Sequence, residues 1–176
     1  MRRIEIPMKS SSIVILAFLT AILFISQIAL SFLPNIEIVS LLIILYTQFF
    51  RKKVFLIIYL FALLEGLLYG FGIWWIMYLY VWSILAGIVL FLCTLRSYKT
   101  TTFWAVISGF YGLFFGILCA IPYCVSGGWA AGFGYWISGI PFDIIHCIGN
   151  FIVTLILYKP LYQILQKLNQ RSAPPI

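Results

Sequence analysis

The chain has 176 residues, of which 64% are hydrophobic and only 9% are charged, and its mean hydropathy is +1.13. This composition excludes a soluble globular domain and predicts an all-α integral membrane protein. The formal net charge of +7 would suit nucleic acid in a soluble protein. Here the basic residues separate apolar runs, which indicates anchoring at a membrane surface and no nucleic-acid partner.

Apolar runs between charges and turn residues predict six transmembrane helices in one domain spanning residues 1–176. In chain order they cover residues 13–33, 37–50, 54–71, 73–95, 102–121 and 141–158, with an aromatic, glycine-rich outer loop at 122–140. The first run exceeds the roughly 7 to 15 apolar residues of a signal peptide, so we expect a retained span. The second run is short, because about 14 residues rise only about 21 Å against a hydrocarbon core of about 30 Å.

The basic residues predict the orientation of the six spans. All eleven fall on one side of this arrangement: Arg2, Arg3, Lys9, Arg51, Lys52, Lys53, Arg96, Lys99, Lys159, Lys167 and Arg171. The positive-inside rule makes that side the cytoplasm, with both termini on it. The opposite side carries Glu37 and the loop sequence SGGWAAGFGYWISG.

Polar residues recur on one face of the last span. Asp143, His146 and Asn150 are spaced three and four residues apart, with Thr154 one turn further along, so all four share a helix face. Asp143 follows Pro141 and would fall in the first helical turn, where a carboxylate is favoured, yet it could also meet a ligand entering from outside. His146 is either a hydrogen-bonded interior group or a ligand contact.

Glu65 lies inside the third span, where an ionised side chain costs on the order of 2.5 to 3.5 kcal/mol at the helix centre. It therefore needs a partner. His146, a backbone donor, or a cationic or hydrogen-bonding group of a ligand could serve. An ionisable residue within a membrane span indicates a functional site by default.

Three rings recur at four-residue intervals along the fourth span, namely Trp74, Tyr78 and Trp82. An interfacial aromatic belt explains the outermost rings but not Trp82, which lies two turns deeper. Rings that descend into a bundle suit a planar, partly polar ligand held by stacking and a few hydrogen bonds. The candidate ligand-binding residues are Glu65, Trp74, Tyr78, Trp82, Trp129, Tyr135, Trp136, Asp143 and His146.

Other patterns indicate packing and not chemistry. The four cysteines are dispersed without a CxxC pair, so we expect neither a metal site nor a disulfide framework, and we expect no cofactor. Small residues at Ser108, Gly112, Gly116 and Ala120 predict close helix packing within the bundle, whereas Ala17 and Ala21 could face another subunit.

Together these features resemble the substrate-binding S component of an energy-coupling factor vitamin transporter. The resemblance rests on the six spans, the pair Ala17 and Ala21, the segment GLLYGFGIWWIMYLYVWSILAG, and the closing segment GIPFDIIHCIGNFIVTLILYKPLYQIL. It covers most of the chain and is sharpest after Gly66. The closing segment is most similar to the cobalamin-type branch, so a corrinoid is the first expectation. Riboflavin-like, pyridoxine-like and thiamine-like ligands suit an aromatic pocket equally well.

The resemblance implies a vitamin-binding subunit of a prokaryotic cell membrane, with its pocket at the outer face. It also implies docking on a transmembrane scaffold subunit that is coupled to two cytoplasmic ATPases. In the family a pair of alanines on the first helix meets the scaffold, and Ala17 and Ala21 match that pair. The chain has no Walker-type glycine loop, so the energy is expected from the partner subunits.

Two further hypotheses come from other classes of protein. A membrane-embedded enzyme could use Asp143 and His146 as a general acid and base pair, although no nucleophile or metal set stands beside them. A purely structural subunit would use Ala17 and Ala21 as its contact surface. In that case substitutions of Glu65 and Trp82 would be silent, whereas in a binding subunit they would weaken ligand binding.

Overall fold

The computed structural model describes residues 10–95 and 100–172, and within these two ranges every regular element is a helix. The elements are α1 (Ser10–Leu30), α2 (Val39–Phe50), α3 (Val54–Tyr69), α4 (Ile73–Tyr78), α5 (Val81–Leu92) and α6 (Thr101–Ser172), with a 3-10 turn at Arg51–Lys53 between α2 and α3. The all-α fold class is therefore confirmed for the described residues.

Three helical stretches in the described ranges are long and apolar enough to cross a membrane. They are Ile13–Leu30 in α1, Ile73–Leu92 across α4 and α5, and Thr101–Leu168 within α6. This agrees with the membrane protein that the composition predicts.

The longest element, α6, is a hairpin of two helical arms joined at Gly128. Gly128 has φ 79° and ψ 175°, a conformation that a residue with a Cβ rarely adopts. The first arm covers residues 101–127 and the second arm residues 129–172, and they pack side by side. A Cβ at Gly112 would meet the backbone of His146, and one at Gly116 would collide with the carboxylate of Asp143. The small residues thus let the arms approach closely within the bundle, as their spacing predicts.

The outer loop predicted at 122–140 is wrong, because this segment is helical on both sides of Gly128. Packing between the arms overrides the low helix propensity of its glycines. The rings of Tyr123 and Tyr135 stack at 4.2 Å and 18°, and a Cβ at Gly132 would collide with Cys124. The second arm starts before Pro141, which lies inside the helix, so the expected capping position of Asp143 is wrong as well.

The short second helix lies at the centre of the bundle. Every residue from Val39 to Gln48 is buried, and α2 packs against α1, α3, α5 and α6. A helix that is hydrophobic all round is suited to such burial. Because protein surrounds α2, its length of about 18 Å does not have to match the thickness of a bilayer.

The described basic residues gather at one end of the bundle. Tyr158 donates a hydrogen bond to Gln48 at 2.8 Å, so the end of α2 lies beside the second arm near Lys159. This arrangement brings the segment Arg51–Lys53 to the same end, which we call the basic end. Arg2, Arg3, Lys9, Arg96 and Lys99 lie outside the described residues, as does the side chain of Arg171.

Candidate ligand-binding site

Two adjoining cavities open at the end of the bundle opposite the basic end. The first has a volume of about 280 Å³ and is lined by Gln27, Ser31, Glu65, Tyr69, Trp74 and Tyr78. The second has a volume of about 210 Å³, shares Gln27, Ser31 and Tyr78 with the first, and extends to Asn35, Glu37, Trp82, Phe115 and His146. We call the two cavities together the cleft. It is bounded by residues from α1, α3, α4, α5 and both arms of α6, together with the connection between α1 and α2.

The three rings predicted from the fourth span form a ladder along one wall of the cleft. The rings of Trp74 and Tyr78 meet edge to face at 5.4 Å and 87°, and those of Tyr78 and Trp82 do so at 5.7 Å and 87°. Trp74 lines the first cavity, Trp82 lines the second, and Tyr78 lines both. The sequence-based spacing thus identified a connected aromatic surface facing open space.

The ladder continues across a break in the helix that the sequence did not predict. Residues Leu79 and Tyr80 separate α4 from α5, and the Tyr80 hydroxyl donates to the carbonyl oxygen of Leu118 at 2.7 Å. That carbonyl lies four residues before Pro122, which has no N–H with which to close the helical hydrogen bond. Tyr80 therefore satisfies a carbonyl that the proline leaves free, and this contact fixes the turn between the two helices.

Glu65 is a buried carboxylate in the wall of the first cavity. Its residue surface is 2% exposed, and its Oε1 atom has no hydrogen-bond partner among the described residues. Its neighbours in the cavity lining are uncharged amide, hydroxyl and aromatic side chains. Since an unpartnered buried carboxylate is costly, this geometry leaves Glu65 available to a donor that enters the cavity.

His146 reaches the second cavity and pairs with a residue that is distant in sequence. Its Nε2 atom lies 3.3 Å from Oε1 of Glu37, although the two residues are 109 positions apart. The other carboxylate oxygen of Glu37 accepts a hydrogen bond from the backbone N–H of Ser40 at 2.8 Å, at the start of α2. The ring of Phe115 packs edge to face on His146 at 4.8 Å. This wall therefore combines a carboxyl–imidazole pair with an aromatic ring.

The polar face of the second arm points into the protein, as its spacing predicts. Asp143, His146, Asn150 and Thr154 are all buried, whereas the intervening Ile148 is 54% exposed. Asn150 donates to the hydroxyl of Ser40 at 3.2 Å. These contacts place Asn150 in helix packing below the second cavity.

Asp143 lies outside the lining of both cavities. Its Oδ1 atom accepts a hydrogen bond from the backbone N–H of Gly116 at 3.0 Å. His146 instead turns toward Glu37, so the two residues that were considered as an acid and base pair face different partners.

The remaining candidate rings lie near the tip of the α6 hairpin. Trp129 is 86% exposed, Tyr135 stacks on Tyr123, and Trp136 packs against Phe133 at 5.8 Å. None of Trp129, Tyr135 and Trp136 lines either cavity. Of the nine residues that the sequence suggested, the structure brings five to the cleft: Glu65, Trp74, Tyr78, Trp82 and His146.

Sequence reasoning missed four polar residues of the cleft. Gln27 donates to the hydroxyl of Tyr78 at 3.3 Å, and Ser31, Asn35 and Glu37 are the other three. Gln27 could have been noticed as an amide within the first apolar run. Glu37 could have been noticed as the missing partner for a lone buried histidine.

The cleft can bind a small planar compound through ring contacts, one free carboxylate and several hydrogen-bonding groups. The described residues contain no group of three or more His, Cys, Asp or Glu side chains placed to hold a metal ion. No protein-family model, curated protein or solved structure matches this chain.

Proposed function

We propose that the chain is the substrate-binding subunit of an ATP-driven importer of the energy-coupling factor type. It captures a vitamin or a vitamin precursor at the outer face of a prokaryotic cell membrane. The observation that carries the proposal is the cleft, in which the Trp74, Tyr78 and Trp82 ladder stands beside Glu65 and the Glu37–His146 pair. A concave site of aromatic rings with a few polar groups is typical of small-molecule binding.

The proposed topology has six spans with both termini in the cytoplasm. The two arms of α6 supply the last two spans, and α4 with α5 forms the fourth. The gathering of Arg51, Lys52, Lys53 and Lys159 at the basic end supports this orientation, because cytoplasmic ends of spans are enriched in Lys and Arg. The cleft then opens to the outside.

The proposed partners are a transmembrane scaffold subunit and two cytoplasmic ATPases, because the chain has no phosphate-binding loop of its own. Ala17 is exposed and Ala21 is half-buried on α1. Small side chains on an exposed helix face allow a second helix to approach closely within a membrane. This surface supports docking through the first helix.

Ligand binding by the purified full chain tests the proposal. The protein is extracted in mild detergent, its fold is checked by circular dichroism, and the affinity for a panel of vitamins and precursors is measured by titration calorimetry. Mass spectrometry of the purified sample identifies any compound that copurifies. We expect at least one ligand with submicromolar affinity, that is, below about 1 μM or −8.2 kcal/mol.

Absence of binding across the panel by folded protein would contradict the proposal. Turnover of a lipid-like substrate would favour the enzyme hypothesis, provided that His146→Ala abolishes this turnover and leaves ligand binding intact.

A further inference from the structure

We propose that the ligand is a compact compound of one or two aromatic rings that carries an ammonium or amino group, and that this group pairs with Glu65. This inference rests on the proposed function and narrows its substrate class. It follows from the volume of the cleft, from the isolation of one carboxylate in it, and from the rings around that carboxylate.

The volume of the cleft sets the size of the ligand. A dry cavity of about 150 Å³ accommodates one benzene ring. The two cavities have volumes of about 280 and 210 Å³ and share a wall at Gln27, Ser31 and Tyr78. These dimensions suit one or two rings with short substituents. They favour such a ligand over the corrinoid macrocycle that the resemblance suggests.

The two carboxylates of the cleft differ in what faces them. Glu37 is already paired with His146 and with the N–H of Ser40. Glu65 lines the first cavity among uncharged residues, and its buried Oε1 atom has no hydrogen-bond partner in the described chain. The positive or donor group that would satisfy Glu65 is therefore the missing component of the first cavity.

The rings beside Glu65 favour the same class of ligand. Trp74 packs edge to face on Tyr78 at 5.4 Å and on Tyr69 at 6.4 Å, and all three line the first cavity. Aromatic faces carry negative potential, so rings grouped around a carboxylate attract a cation and disfavour an anion. Stacking on the same rings holds a planar ligand body.

Matched pairs of compounds separate the contribution of the amine from that of the ring. Each pair differs only in an ammonium group in place of a hydroxyl group: pyridoxamine with pyridoxine, tryptamine with tryptophol, and 5-aminomethyl- with 5-hydroxymethyl-4-amino-2-methylpyrimidine. Their affinities for the full chain in detergent are measured by titration calorimetry, beside the wider vitamin panel. In at least one pair we expect the amine to bind at least about tenfold more tightly than its hydroxyl counterpart, because charge-assisted hydrogen bonds are stronger than neutral ones.

Variants of Glu65 assign that preference to its carboxylate. Glu65→Gln keeps the shape and removes the charge, so we expect the amine to lose about tenfold in affinity while its hydroxyl counterpart changes by less than about threefold. Glu65→Asp keeps the charge and should retain a preference for the amine. Thr154→Val is the control, because Thr154 is buried outside the cleft with an unpartnered hydroxyl; its affinities should match those of the parent chain.

The outcomes distinguish this inference from the proposed function. If the panel yields a tight neutral or acidic ligand and the amines bind no better than their counterparts, the importer proposal stands and this inference fails. It also fails if the preference survives in Glu65→Gln. If nothing binds to folded protein, the proposed function itself fails. Should Glu65→Gln not fold, the matched pairs with the parent chain still decide the question.

Discussion

The cleft and the interface between the arms of α6 both bury a carboxylate among aromatic and small residues, yet they are built in opposite ways. At the arm interface, Gly112 and Gly116 bring two backbones together, and Asp143 is held by the N–H of Gly116. In the cleft, Gln27, Glu65 and the ladder rings surround open volume, and Glu65 Oε1 has no partner in the described chain.

Burial of an ionisable residue therefore does not by itself identify a ligand site. Asp143 and Glu65 are both buried acidic residues of apolar helices. Each has one buried oxygen without a hydrogen-bond partner among the described residues, Oδ2 of Asp143 and Oε1 of Glu65. What separates them is the open volume that Glu65 lines and Asp143 does not.

The Glu37–His146 pair joins the two regions, so breaking it should have the largest effect on stability. His146→Leu leaves the Glu37 carboxylate buried with only the N–H of Ser40, and we expect a loss of about 3 to 5 kcal/mol in unfolding free energy. The measurement is the unfolding of purified protein in mixed micelles, followed by tryptophan fluorescence.

A double-mutant cycle provides the control for this pair. The double variant His146→Leu with Glu37→Leu should lose less stability than the sum of the two single variants, with a coupling of at least about 1 kcal/mol. Additive losses would show that the contact between His146 and Glu37 contributes nothing.

Gly112 tests the close approach of the arms. Gly112→Ala places a methyl group against the backbone of His146, which cannot move as a flexible side chain would, so we expect a loss of about 1 to 3 kcal/mol. Gly87→Ala in α5 is the matched control, because its added Cβ meets nothing within 4 Å. It should be neutral or stabilising by up to about 1 kcal/mol, since alanine is the better helix former. Equal thermal midpoints for the two variants would contradict the close packing.

Trp74 and Trp129 test which aromatic rings bind the ligand. Trp74 lines the first cavity, so Trp74→Leu should weaken binding of the best ligand by about tenfold through lost stacking. Trp129 lies at the exposed hairpin tip, and Trp129→Leu should change the affinity by less than about threefold. Calorimetric titration of both variants measures the contrast. If Trp129→Leu weakened binding and Trp74→Leu did not, the binding site would lie at the hairpin tip and not in the cleft.

Tyr135 tests the packing at the far end of the arms and should give the smallest effect. Tyr135→Leu removes the stacking on Tyr123, for which we expect a loss of about 0.5 to 1.5 kcal/mol in stability. Ligand affinity should stay within about threefold of that of the parent chain. A loss of affinity greater than about threefold would instead indicate that Tyr135 belongs to the binding site.

Much of the fold could be predicted from the sequence because hydrophobic runs, charges and periodicity are local signals. The first three helices begin and end within a few residues of the predicted bounds. The buried polar face of the second arm followed from spacings of three and four residues. The loop at 122–140 was mispredicted because the glycines that disfavour an isolated helix serve here to let two arms pack closely.

The candidate site was only partly visible in the sequence. The spacing of Trp74, Tyr78 and Trp82 and the cost of burying Glu65 were enough to find one wall. The pairing of His146 with Glu37 spans 109 positions, and the partner of Asp143 is a backbone N–H. Neither contact can be inferred from a single sequence, because both depend on how helices that are distant in the chain pack together.

The central position of α2 has a consequence for biosynthesis. On its own, a helix of 12 residues rises about 18 Å and is too short for a hydrocarbon core of about 30 Å, so in the proposed topology α2 crosses only inside the bundle. It therefore gains little from entering the lipid phase alone during translation. Its native contacts include the second arm of α6, which follows it in the chain. α2 therefore reaches its native environment only after this later arm has been made and has packed beside it.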